Sequence, residues 1–302
     1  MIINRSFSSS FAKEERFGSL KSLVLLVVIA ILATSNSYAQ ASFESIDGLR
    51  YLIDSDAKTA TLTANNDEKY SGNIVVPEKV KASDGVEYPV TAFGENAFKE
   101  CLGLKSVTIP SSVTSLGEWC FSDCSGLTSV TIPSSVTSLG DNCFRSCSGL
   151  TSITIPSSVT SLGNYCFAYC SGLTSITIPS SVTSLGNDCF NGCSGLTSIT
   201  IPSSVTSLGS WCFWNCSGLT SITIPSSVTS LGWGCFIGCS GLTSITIPSS
   251  VTYLGSKCFM DCSKLEKATF QGTLPQNTID CDLLSTCIFY VPKAYLQDYK
   301  DA

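Results

Sequence analysis

A repeat of 23 residues constrains this chain more than any other feature. Cys101, Cys124, Cys147, Cys170, Cys193, Cys216, Cys239 and Cys262 fall 23 apart, and Phe98 to Phe259 and Pro110 to Pro248 keep the same step. A fixed period in the twenties belongs to a solenoid, in which each unit buries its apolar face only against its neighbours. Clean copies of the unit run from residue 101 to residue 261.

One unit, residues 124–146, reads CSGLTSVTIPSSVTSLGDNCFRS. Leu127, Val130 and Ile132 have the spacing of a leucine-rich repeat strand, which turns Thr128, Ser129 and Thr131 outward. Pro133 ends the strand, since it has no N–H for a ladder. Val136 and Leu139 turn inward again and Gly140 breaks the path. The rest of the unit fits one helical turn at about 100° per residue. Cys120, Phe121 and Cys124 then share an inner arc, and Glu118, Trp119, Ser122 and Asp123 face solvent. The expected fold is an α/β or mainly β solenoid, right-handed, with short parallel strands and short helical turns, capped at both ends.

The ends depart from the pattern. Leu23–Leu32 reads LVLLVVIAIL, preceded by Arg5, Lys13, Arg16 and Lys21 and followed by Ser37 and Ala39, as in a secretory signal peptide cleaved after Ala39. The expected divisions are a signal peptide at 1–39, a β-rich cap at 40–93, the solenoid at 94–270 and a C-terminal cap at 271–302. Within the first cap, the alternation at Tyr51 and Ile53 and at Thr59, Thr61 and Thr63 predicts hairpins around an Asn65-Asn66-Asp67 turn. In the second, Ile288–Val291 predicts a strand, Pro292 a stop, and Ala294–Lys300 a short helix.

Composition narrows the chemistry. The chain has 17 Lys+Arg, 23 Asp+Glu, a formal charge of −6 and no His. An acidic protein lacks the basic face that nucleic acid requires. Without His there is no Ser-His or Cys-His nucleophile pair and no His-containing metal site, and no cofactor or enzymatic activity is expected. Cys recurs as Cys-x3-Cys from Cys120/Cys124 onward. Stacked coils at about 4.7–4.9 Å hold parallel Cβ vectors too far apart for a disulfide, which needs about 3.8 Å. The repeat thiols are therefore expected reduced, buried and metal-free. Cys281 and Cys287 lie outside the repeat, where a secreted context allows them to pair or to stay free.

The motif F-x-x-C-S-G-L-T-S-I-T-I-P-S-S-V-T-S-L-G resembles the BspA-type leucine-rich repeat family. The closing IFYVPKAYLQDYK is similar to a terminal segment common there, and the leader ending Ser37-Tyr38-Ala39-Gln40 resembles those of Bacteroidetes. The resemblance implies a secreted or cell-surface protein that adheres to host or microbial proteins, with no catalytic residues. One departure stands out: the column of Ala97, usually Ala in that family, is Cys from Cys120 to Cys258.

Comparison between units locates a candidate surface. TSITIPSSVTSLG barely changes, while variation concentrates in the columns of Glu118, Trp119, Ser122 and Asp123. All four Trp fall there (Trp119, Trp211, Trp214, Trp233), together with Tyr165, Tyr169 and Ile237. Trp211, Trp214, Trp233 and Ile237 are expected to form one exposed apolar patch for a protein partner. The flat Thr/Ser face is the alternative, suited to a periodic ligand such as a glycan. A passive surface protein is the third reading. No transmembrane span is expected in the mature protein.

Overall fold

The computed structural model describes residues 41–273, 275 and 287–296. The leader, Cys281 and the segment after Leu296 lie outside the described residues. Among the described residues no helix is long and apolar enough to cross a membrane.

The chain winds as stacked β coils. β1 (Ala41–Ile46), β2 (Leu49–Asp54) and β3 (Thr59–Thr63) form an antiparallel meander. β4 (Gly72–Val75) starts the solenoid, followed by a hairpin of β5 (Lys79–Lys81) and β6 (Glu87–Phe93). This hairpin accounts for the ten additional residues between Pro77 and Cys101, compared with the Pro110–Cys124 interval. β7 (Leu104–Thr108), β8 (Ser115–Leu116) and β9 (Ser129–Thr131) begin the regular coils.

Two parallel sheets run along the solenoid. In one, the S-I-T strands pair in register, Ser152 with Ser175, Ile153 with Ile176 and Thr154 with Thr177. β4 opens this sheet by pairing with β7. The second sheet is built from two-residue Ser-Leu strands, such as Ser138–Leu139 on Ser161–Leu162, and is entered from β3 through β6 to β8. The Asn65–Asp67 segment is therefore a crossing between sheets, not a hairpin turn: β3 pairs with β6, and β4 pairs with β7. The Asn65 side chain accepts the Asp67 N–H at 3.1 Å and fixes that crossing. At the far end, Ile288–Tyr290 adds in parallel to Lys267–Phe270, and a 3-10 turn follows at Lys293–Tyr295.

The helical turn expected around Phe121 is not a helix. Trp119, Phe121 and Asp123 donate their N–H groups to Asp141, Cys143 and Arg145 of the next coil at 2.7–2.9 Å. Cys120, Ser122 and Cys124 bond back three residues instead. This alternation needs a left-handed backbone at two positions per coil, φ 56° at Trp119 and 60° at Asp123. The turn is thus a third coil-to-coil ladder, and the 100° periodicity does not describe it.

The core is a set of ladders. Phe121, Phe144, Phe167, Phe190, Phe213, Phe236 and Phe259 are buried, with successive rings stacked 5.1–5.7 Å apart. The second Cys of each pair donates its thiol to the Phe carbonyl of the preceding coil, as Cys193 Sγ does to Phe167 O at 3.1 Å. Burial pushes these thiols up, Cys170 to about 12, so they stay protonated and able to donate. In the first Cys column, the Cys143 sulfur meets Cys120 and the Gly140 backbone. Every described Cys is a buried free thiol, and among the described residues no Cys, Asp or Glu cluster could hold a metal ion. In the P-S-S-V turn, Ser158 Oγ donates to Val136 O of the coil before, at 2.6 Å. Close stacking also explains the glycine of C-S-G-L: a Cβ on Gly149 would lie 2.5 Å from Ser125 O.

Candidate functional site

The third ladder carries the variable columns on its outer side. The column of Trp119 alternates along the solenoid: Asn96, Trp119, Asn142, Tyr165, Asp188, Trp211, Gly234, Lys257. Successive Phe rings, and hence coils, are offset by 5.5 and 5.7 Å around Phe167, so the large members recur about every 11 Å. The small members sink: Asn142 and Asp188 are buried.

Two aromatic groups result. In the first, Lys99 Nζ lies 4.6 Å above the Trp119 ring, and the Arg145 guanidinium sits between Trp119 (5.8 Å) and Tyr169 (5.2 Å). Arg145 also reaches Asp123 at 4.0 Å. In the second, Trp211 and Trp233 meet edge to face at 4.9 Å, with Lys257 5.7 Å from the Trp233 ring. Exposed cation–π contacts of this kind are worth about 0.5–1 kcal/mol each, enough to hold ring orientation.

Asp188 lies between the groups, only 3% exposed. Asn191 Nδ2 donates to its Oδ1 at 2.9 Å, and the Tyr165 hydroxyl also bonds its carboxylate. Burial pushes the Asp188 carboxyl up, against the opposing effect of these bonds, and burial and the Asp188 bond raise Tyr165.

The structure brings together most, but not all, of the expected surface. Tyr165 (37%), Tyr169 (42%) and Trp233 (37%) are exposed, and Trp119, Trp211 and Trp214 are half-buried. Ile237 is not part of an exposed patch: it is 8% exposed, with its side chain packed against Gly234. Gly234 makes that possible, since a Cβ there would fall 2.6 Å from Ile237 Cδ1 and 3.2 Å from Trp211 Cδ1. Ser122 is buried as well, its hydroxyl donating to Asp123 Oδ2 at 2.7 Å. Lys99, Arg145, Asp188 and Lys257 were missed as members of the ridge, although each sits in a variable column.

The column of Glu118 has a partly internal role. Asn164 N–H bonds to Asp141 Oδ1 at 2.7 Å, Asn187 N–H to Asn164 Oδ1 at 2.9 Å, and Ser210 N–H to Asn187 Oδ1 at 2.9 Å. Asx residues there complete the coil-to-coil bonding.

A family model described as BspA type leucine rich repeat region matches in six copies, over residues 86–197 and 160–288. The chain belongs to this family. A leucine-rich repeat protein from Bacteroides ovatus is similar, at 26% identity and a TM-score of 0.58 over 82% of this chain and 78% of that one. The leucine-rich repeat protein of T. pallidum shares 28% identity at a TM-score of 0.58, over 64% of this chain and 87% of that one. No curated protein matches the chain. As a member of the family the chain is a leucine-rich repeat solenoid, and the match is to a repeat region with no reaction attached.

Proposed function

We propose that this BspA-type protein is exported and acts at the cell surface as an adhesin-like binding module for a protein on a host or neighbouring microbial cell, through its aromatic ridge. In this reading residues 1–39 are the export leader, 94–270 carry the binding surface, and 40–93 and 271–302 are caps. The leader run LVLLVVIAIL supports export.

One observation carries the choice of surface. Trp119, Tyr165, Tyr169 and Trp211 hold φ of 54–60°, a left-handed backbone that disfavours bulky side chains. Most sister coils fill the same positions with residues such a backbone prefers, Asn142, Asp188, Gly192, Asn215, Gly234 and Gly238 among them, although Glu100, Ser146 and Lys257 also stand there. Drift on an idle surface would be expected to favour Asn, Asp, Gly and small or flexible polar residues over bulky aromatics. Large aromatics held there against that preference favour a selected contact surface, the usual setting of local strain. Exposed Trp and Tyr with flanking cations are the side chains that anchor protein partners.

A second reading rests on the sheet face, where Thr154, Thr177, Thr200 and Thr223 line up in register and would suit a periodic glycan. The test sets the two faces against each other. A Trp211→Ala/Trp214→Ala/Trp233→Ala protein and a Thr177→Lys/Thr200→Lys/Thr223→Lys protein, both folded, are assayed for binding to host and microbial cells and to a glycan array. The ridge reading expects the Trp variant alone to lose binding. Loss in the Thr variant alone overturns it and favours the glycan reading; no binding by the parent protein favours a passive role.

A further inference from the structure

The N-terminal end of the solenoid closes one sheet and leaves the other open. β1–β3 continue the Ser-Leu sheet through β6, but β4 has β7 on one side and no strand on the other among the described residues. Val76 N–H donates to Thr108 O of the β7 coil at 3.2 Å. Backbone groups alternate sides along a strand, so Ile74 also faces β7, and the N–H and C=O groups of Asn73 and Val75 point to the open side.

The core beneath that edge is not fully sealed. Ile46 and Ile74 are only partly buried, and Val75 is 70% exposed. Beside the edge is a cleft of about 380 Å³, between the Asp47–Leu49 turn, the segment Asn65–Ser71 and β4 itself. Its charge is negative. Asp47 and Glu68 line it together with Lys69, whose Nζ is engaged by Glu100 at 3.6 Å and by the Lys99 carbonyl at 2.8 Å.

An open strand edge beside an acidic cleft is an arrangement that takes an added strand: main-chain bonds supply affinity and the cleft reads alternate side chains. We propose that β4 is a strand-addition site for an extended segment of another protein. That segment would place an apolar side chain against Leu49 and Ile74, and a Lys or Arg against Asp47 and Glu68. The site is separate from the ridge and does not depend on it.

The probe is a synthetic peptide of this chain's own residues 102–111, LGLKSVTIPS, which contains the strand that already pairs with the other side of β4 and carries one Lys. With protein lacking the leader, the expected result is saturable protection of the Asn73 and Val75 amides from hydrogen exchange. Val75→Pro removes the outward N–H and should abolish that protection. Asp47→Asn/Glu68→Gln, at surface positions that leave the strand intact, should weaken binding at least threefold at low salt. Absence of protection at millimolar peptide, or equal binding by all three proteins, overturns the proposal. So does a dimer of the unliganded chain that Val75→Pro dissociates, which would make a second copy the occupant.

Discussion

The strand side and the ridge side of each coil obey the same stacking rule with opposite freedom. On the strand side nearly every residue is tied to the coil before: Ile199 and Ile222 pack in register, Ser204 Oγ bonds Val182 O, and Thr197 N–H bonds Thr174 O. A substitution there disturbs two neighbours at once, which explains why TSITIPSSVTSLG hardly varies between units. On the ridge side the backbone does the tying, through N–H groups such as Phe190 to Cys212 O at 2.9 Å. Side chains are then released for other uses, within the limit that two positions per coil are left-handed. A repeat therefore varies where side chains are not needed, in addition to the backbone, to hold one coil on the next.

The largest effect should come from the shared interior, where the two sides meet. Phe190 is fully buried between Phe167 at 5.7 Å and Phe213 at 5.6 Å. Phe190→Ala should cost about 3–5 kcal/mol in urea unfolding, since a gap between stacked coils cannot collapse without shifting three ladders. A cost below about 1 kcal/mol would break the picture of tightly stacked coils.

An intermediate effect should separate the two Cys columns, which look equivalent in the sequence. Cys193 donates to the Phe167 carbonyl, while its neighbour Cys189 occupies the column where the first coil carries Ala97. Cys193→Ala loses both sulfur packing and a buried hydrogen bond, at about 1–2 kcal/mol, and Cys189→Ala should cost less. The same difference accounts for one column tolerating Ala while the other is Cys from Cys101 to Cys262. Equal costs would remove the thiol hydrogen bond as the reason.

Much of this architecture was legible in the sequence, because packing writes itself into a repeat. Leu127, Ile132, Val136, Leu139 and Phe121 are all buried, as their spacing required, and Pro133 follows the strand end. Two elements were not legible by periodicity. The Ser-Leu strands are two residues long, too short for alternation to appear. The turn at Phe121 satisfied a helical spacing without being a helix. Its signal was chemical: Asn96, Asn142, Asp188, Gly192, Asn215, Gly234 and Gly238 in the Trp119 and Asp123 columns are residues that accept a left-handed backbone and disfavour helix.

The smallest expected change in stability is the one that bears most on function. Trp211 has φ 54° and gains an edge-to-face contact with Trp233 at 4.9 Å. Trp211→Asn gives up that contact, worth about 0.5–1.5 kcal/mol, and removes a side chain that the left-handed backbone disfavours by about 1–2 kcal/mol. The two terms nearly cancel, so unfolding free energy should move by less than about 1 kcal/mol, in either direction. Tyr169→Gly, which copies the neighbouring Gly192, should behave alike. A loss above about 2 kcal/mol would mean that the ring is there for packing, and the strain at these positions would no longer argue for a contact surface. Near-neutral stability joined to a tenfold or greater loss of cell binding is what a surface kept for recognition predicts. The strand face offers a control: Thr200→Asn on the ordered sheet should lower stability more than it changes binding, because Thr200 stands in register between Thr177 and Thr223.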